Sequence, residues 1–65
     1  MTSDYIYRVM VALGMTQAQF AVAVGCRREA VNSWVRGRTK PSPVFQANIR
    51  KLIVEVAAGA IDGAA

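Results

Sequence analysis

The chain has 65 residues, enough for one small domain, and a domain of this size buries only about 60% of the surface that its unfolded chain exposes. It contains no histidine and a single cysteine, which leaves no plausible zinc ligand set and excludes an internal disulfide. The net charge of +4 favours an anionic partner such as nucleic acid, although a solvated surface is also rich in arginine and lysine.

The first ten residues, MTSDYIYRVM, lack a basic leader and are not typical of a signal peptide. No apolar run approaches the roughly 18 to 20 residues that a membrane-spanning helix requires. The sequence therefore predicts a soluble cytoplasmic protein without a membrane partner.

Two short helices are predicted in the first part of the chain. Thr2 or Ser3 can cap the first helix, which ends at Gly14. Thr16 and Gln19 have the spacing of a capping box and begin the second helix. Inward-facing apolar residues recur at helical spacing in both, and they are Ile6, Val9, Met10, Leu13, Phe20, Ala21 and Val24.

A third helix, over about residues 28–36, follows a turn at Gly25. Its apolar residues lie at positions i, i+3 and i+4 and are Val31, Trp34 and Val35. The residues of the opposite face are Arg28, Glu29, Asn32, Ser33 and Arg36. At this spacing Trp34 is expected in the core and not as a stacking platform for single-stranded bases.

The fourth helix is predicted to begin after Ser42, with Pro43 in its first turn, where a missing amide proton costs nothing. Its apolar stripe consists of Phe45, Ile49, Leu52, Ile53 and Val56. We expect the helix to end near Gly59, so that residues 1–59 form the domain and residues 60–65 a short flexible tail. Because no alternating strand pattern occurs, the sequence predicts an all-α compact bundle of about four helices.

Positive charge is concentrated around the third helix. The cations of this stretch are Arg27, Arg28, Arg36, Arg38 and Lys40. Glu29 is the only acid among them, so the stretch carries the whole net charge of +4. The other charged residues of the chain cancel.

The spacing of Ala21, Gly25 and Val31 is that of a helix-turn-helix. A small residue lets the two helices cross closely, glycine makes the sharp turn, and a β-branched residue packs the second helix onto the first. Many helical proteins contain such residues by chance. The basic face of the third helix favours the helix-turn-helix interpretation.

The run LGMTQAQFAVAVGCRREAVNSWVRGRTKPSP resembles the DNA-binding domain of the lambdoid-phage repressor and Cro family. The matching features are LGMTQ, Ala21, Gly25, Val31, Trp34 and RGRTKPSP. The resemblance implies a repressor-like helix-turn-helix domain whose third helix enters the major groove by its N-terminal residues. It also implies a homodimer on a palindromic operator of double-stranded DNA.

Two groups of site residues follow from the resemblance. The base-contacting positions are Arg27, Arg28, Glu29, Asn32 and Ser33. The phosphate-contacting positions are Gln17, Arg36, Arg38 and Lys40. By base chemistry, Arg28 suits guanine, Glu29 suits the amino group of cytosine, and Asn32 suits adenine.

Three positions leave alternatives open. Glu29 either contacts a base or forms an ion pair with Arg28 or Arg36. Ser33 is more easily understood as a small neutral spacer than as a base reader. Arg27 stands where the family usually has a small capping residue, and arginine cannot accept a bond from the free helix amides. We expect Arg27 to contact DNA, at a phosphate or a base.

The resulting prediction is a sequence-specific transcriptional regulator, a repressor of phage or mobile-element type that acts at the nucleoid by operator occlusion. The alternative is an antitoxin that neutralises a partner protein and regulates its own operon. No enzyme activity, cofactor, metal or small-molecule ligand is predicted, since the chain has no histidine and no paired carboxylates. Dimerisation is expected through the C-terminal half of the fourth helix, with Ile53, Val54, Val56 and Ile61. The alternative is that these surplus apolar residues cover the first helix.

Overall fold

The computed structural model describes the backbone of residues 1–64 and the side chains of residues 1–58. Its elements in chain order are α1 (Ser3–Leu13), α2 (Gln17–Val24), α3 (Arg28–Val35) and α4 (Pro43–Ala64). Residues 1–64 contain no strand. The predicted all-α bundle of four helices is therefore confirmed.

Side-chain caps fix the starts of α1 and α2. The Thr2 hydroxyl accepts a hydrogen bond from the Tyr5 amide at 3.1 Å, so Thr2 and not Ser3 is the cap. The Thr16 hydroxyl accepts from the Gln19 amide at 3.2 Å, and the Gln19 side-chain oxygen accepts from the Thr16 amide at 2.9 Å. The predicted capping box is present, and in each helix the cap satisfies one of the free amides of the first turn.

The core lies where α1, α2 and α3 meet the first half of α4. Its buried apolar residues are Ile6, Met10, Phe20, Ala21, Val24, Val31, Trp34 and Ile49. Trp34 is 4% exposed, and its ring centroid lies 5.7 Å from that of Phe45. Trp34 is therefore a core residue, as its spacing predicts.

Helix α4 is longer than the sequence predicts. The expected end near Gly59 is wrong, because the helix continues to Ala64. A glycine within a helix costs only about 1 kcal/mol relative to alanine, and the neighbouring alanines are the best helix formers. The division of the chain at residue 59 and the flexibility of a tail remain predictions, and Ala65 lies outside the described residues.

The C-terminal half of α4 leaves the packed body. Ile49 is buried and Ile53 is half-buried, but the side chains from Val54 to Ala58 are all exposed. Val56, predicted to belong to the inward stripe, is 38% exposed because the helix has extended past its packing partners at that point.

Candidate nucleic-acid interface

Helices α2 and α3 are joined by a turn of residues 25–27 that reverses the chain sharply. Gly25 has a φ of 88°, a left-handed conformation that favours glycine. The amides of Gly25 and Cys26 both donate to the Ala21 carbonyl, at 2.8 and 2.9 Å. The turn therefore satisfies the end of α2 while directing the chain into α3.

The inner face of α3 is locked onto the rest of the domain. Val31 and Trp34 are buried against the core, and Ala21 on α2 is small enough for the two helices to approach closely. The Asn48 side-chain amide on α4 donates to the Val24 carbonyl at 2.9 Å, which secures the end of α2 just before the turn. Because these contacts fix α3 from one side, its opposite face is presented to solvent.

The start of α3 carries the exposed side chains Arg27, Arg28 and Glu29. Arg27 occupies the N-cap position with extended backbone angles and makes no side-chain capping bond. Its carbonyl accepts from the Ala30 amide at 3.0 Å, so the helix forms although it has no side-chain cap. The charged end of Arg27 is therefore not used to stabilise α3.

Glu29 does not form the ion pair that the sequence left open. Among the side chains of residues 1–58, the ion pairs are Asp4–Arg8 at 3.0 Å and Lys51–Glu55 at 3.9 Å. Both lie on other helices, so the contact of Glu29 with Arg28 or Arg36 is absent in this part of the chain. Base contact by Glu29 stays a prediction.

The other two predicted base-contacting residues already have partners. Asn32 is half-buried, and its side-chain oxygen accepts from Arg36 Nε at 3.3 Å. Pairing with adenine uses both the oxygen and the amide of Asn32, so an adenine would either share that oxygen with Arg36 or take its place. Ser33 is also half-buried and accepts a hydrogen bond from the Thr39 hydroxyl at 2.8 Å.

The predicted phosphate-contacting residues lie at two places. Gln17 is the first residue of α2 and is half-buried, at a helix end where free amides favour an anion. Arg36 ends α3, and Arg38 and Lys40 are exposed in the loop that follows. Their contact with DNA stays a prediction.

Cys26 is half-buried in the turn, where burial raises the pKa of its thiol. A reactive cysteine requires a lowered pKa, because the thiolate is the nucleophile. The environment of Cys26 is therefore the opposite of what a redox switch needs, and the residue acts as a small apolar side chain beside the core.

The described part of the chain offers no helix that is both long and apolar enough to cross a membrane. Within the same residues, no group of three or more acidic, cysteine or histidine side chains is placed to hold a metal ion.

Comparison with known proteins identifies a family. A family model described as helix-turn-helix covers residues 6–44, which is more than half of the chain and includes α2, the turn and α3. No curated protein and no solved structure matches the chain.

Proposed function

The chain belongs to the helix-turn-helix family of repressor and Cro type, and we propose that it is a sequence-specific regulator that reads double-stranded DNA with α3. The family is one of DNA-binding regulatory domains and not of catalytic ones. The observation that supports sequence reading is the division of α3 into a buried face and an exposed face headed by Arg27, Arg28 and Glu29.

The N-terminal turn of α3 enters the major groove in this proposal. Arg28 donates to the oxygen and ring nitrogen of a guanine, and Glu29 accepts from the amino group of a cytosine. Gln17 at the start of α2 and the cations of the loop after α3 hold the phosphate backbone on either side. These backbone contacts orient the domain and supply affinity without sequence preference.

We propose further that binding represses transcription by covering the operator, as expected for a regulator of phage or mobile-element type. The resemblance to phage repressors supports this assignment. An antitoxin would instead bind a protein partner as its main activity. Stoichiometric co-purification of a second protein whose binding displaces the operator would favour that alternative.

A homodimer on a palindromic operator forms through the C-terminal half of α4 in this proposal. Ile53 is half-buried, Val54 is 67% exposed and Val56 is 38% exposed, so apolar surface is available there. Ile61, the fourth residue expected in this interface, has a side chain outside the described residues. A two-fold dimer places its two recognition helices about 34 Å apart, one turn of DNA.

Selection of bound duplexes from a random pool, followed by sequencing, tests the recognition proposal. We expect an enriched half-site that contains a G·C pair and occurs twice, with centres about 10 base pairs apart. Recovery of sequences without any shared half-site would contradict sequence-specific recognition.

Equilibrium sedimentation tests the proposed dimer. We expect a dimer at micromolar concentration, and we expect Val54→Asp to produce a monomer because a charge would be buried in the interface. Val44→Asp is the matched control, since Val44 is 68% exposed at the other end of the same helix. A wild-type protein that stays monomeric in solution and on its selected duplex would contradict the proposal.

A further inference from the structure

Two side-chain hydrogen bonds join the predicted DNA-facing side of α3 to the residues that follow Val35, one from the helix C-cap and one from the loop. The Thr39 hydroxyl donates to the Ser33 hydroxyl oxygen at 2.8 Å. Arg36 Nε donates to the Asn32 side-chain oxygen at 3.3 Å. In each pair, a predicted base-contacting residue is joined to a residue of segment 36–40. That segment carries the predicted phosphate-contacting cations Arg36, Arg38 and Lys40.

Ser33 is the point at which this loop is attached to α3. Its carbonyl accepts from the Arg38 amide at 2.9 Å, beside a bond from the Gly37 amide to the Trp34 carbonyl at 3.0 Å. Gly37 has a φ of 75°, so the chain turns directly from the helix end into the loop. Ser33 therefore accepts two hydrogen bonds from the loop. Its carbonyl accepts from the Arg38 amide, and its hydroxyl oxygen accepts from the Thr39 hydroxyl.

The far end of the loop is also held. Pro41 is buried, and its carbonyl accepts from the Gln46 side-chain amide at 3.0 Å. The segment between Gly37 and Pro41 is thus anchored at both ends while Arg38 and Lys40 remain exposed. The Thr39–Ser33 bond lies between those two cations and fixes the middle of the loop.

We propose that Thr39 is a positioning residue for DNA recognition, which holds Arg38 and Lys40 at a fixed distance from the base-reading end of α3 through its bond to Ser33. This inference rests on the proposed function. Specific binding needs base contacts and phosphate contacts to form together, so it depends on the geometry that joins them. Non-specific binding is mainly electrostatic and tolerates a displaced loop.

The same bond gives Ser33 a role other than base reading, which is to hold Thr39. Ser33 is half-buried, and its oxygen is the acceptor of the Thr39 bond. Removing either hydroxyl should therefore have the same effect, because each partner acts only through the other. This equivalence separates positioning from direct contact with DNA.

Four variants test the inference: Thr39→Val, Ser33→Ala, the double variant, and Thr39→Ser, which keeps the hydroxyl. Affinity is measured by fluorescence anisotropy on the selected duplex and on a shuffled duplex of equal length. We expect Thr39→Val and Ser33→Ala each to weaken binding to the selected duplex by roughly threefold to tenfold, the usual effect of one hydrogen bond. The double variant should bind no more weakly than either single one, and Thr39→Ser should restore the affinity.

Binding to the shuffled duplex should stay at wild-type values in all four, because that binding is mainly electrostatic and no cation is removed. The urea midpoint should fall only slightly, and by equal amounts, in the three variants that lack the bond, since the bond lies at an exposed site. Additive losses in the double variant would overturn the inference, as would a change of base preference in Ser33→Ala alone. An equal loss on both duplexes in Thr39→Val would show direct phosphate contact instead. If the wild-type protein does not distinguish the two duplexes, the proposed function fails. If the wild-type protein does distinguish them and Thr39→Val and Ser33→Ala bind as tightly as it does, only the positioning role fails.

Discussion

The two faces of α3 differ in what they contribute, although they belong to the same eight-residue helix. The inner face buries Val31 and Trp34 in the core. The outer face begins with the exposed Arg28 and Glu29, which make no ion pair among the side chains of residues 1–58. The inner face therefore contributes to the free energy of unfolding, and the outer face is available to contribute to affinity for DNA.

This separation explains how a small domain can carry an unpaired charged surface. A fully buried side chain stabilises the fold by burial and packing, which surface charge hardly affects. Substitutions on the outer face should then alter DNA binding without altering folding, and substitutions on the inner face should do the reverse. The following variants test that division.

Trp34→Ala should lower the free energy of unfolding by about 3–5 kcal/mol, through lost burial and the cavity left beside Phe45. Urea unfolding followed by far-ultraviolet circular dichroism measures the change. Tyr7→Ala is the matched control, because it removes an aromatic ring that is exposed on α1. A Trp34 variant as stable as the control would contradict the assignment of this face to the core.

Arg28→Ala should weaken binding to the selected duplex by about 1–3 kcal/mol and relax the preference at one base pair. The urea midpoint should not change, because Arg28 is exposed. Affinities on the selected duplex and on its single-base variants measure both effects.

Arg38→Ala is the matched control for that experiment, since Arg38 is an exposed cation of the loop. It should weaken binding to all duplexes alike and lower the slope of log affinity against log salt by about one. If Arg28→Ala and Arg38→Ala behaved identically on specific and random DNA, the assignment of base reading to the outer face would be wrong.

Arg27 lies where the two roles meet, at the uncapped start of α3. Arg27→Ser should raise the free energy of unfolding by about 1 kcal/mol, because serine accepts a bond from a free helix amide. It should also weaken DNA binding by removing a cation. Arg27→Ala is the control that removes the cation without adding a cap, and we expect it to lose affinity without gaining stability. Wild-type affinity in both variants would show that Arg27 contacts no DNA.

Asn48→Ala should lower the free energy of unfolding by about 0.5–1.5 kcal/mol, because it removes the partly buried bond to the Val24 carbonyl. Val44→Ala, an exposed change on the same helix, should alter stability by less than about 0.5 kcal/mol. Equal urea midpoints for the two variants would show that Asn48 does not help to hold the end of α2.

Features set by neighbouring residues could be predicted from the sequence. The capping box at Thr16, the turn at Gly25 and the buried side of α3 depend on local backbone chemistry and helical spacing, and the structure contains all three. The exposure of the cations between residues 27 and 40 could also be predicted, because arginine and lysine are rarely buried without a partner. The family match confirms the helix-turn-helix that these features indicate.

Features set by distances between elements could not be predicted. The bonds Thr39–Ser33 and Asn48–Val24 need the loop and α4 to be placed against other helices, and no spacing in the sequence indicates either. The end of α4 differs from the prediction because Gly59 does not stop the helix: a glycine costs only about 1 kcal/mol relative to alanine. The DNA-contacting roles remain predictions, since no local pattern tells a base contact from a phosphate contact.

Methylation interference on the selected duplex tests most directly whether the outer face of α3 reads the major groove. Methyl groups at guanine N7 lie in that groove, at the atom that Arg28 is expected to contact. We predict that methylation of the half-site guanines blocks binding, and that Arg28→Ala abolishes the interference at one guanine in each half-site. Interference confined to minor-groove methylation of adenine, or none at any guanine, would contradict the account.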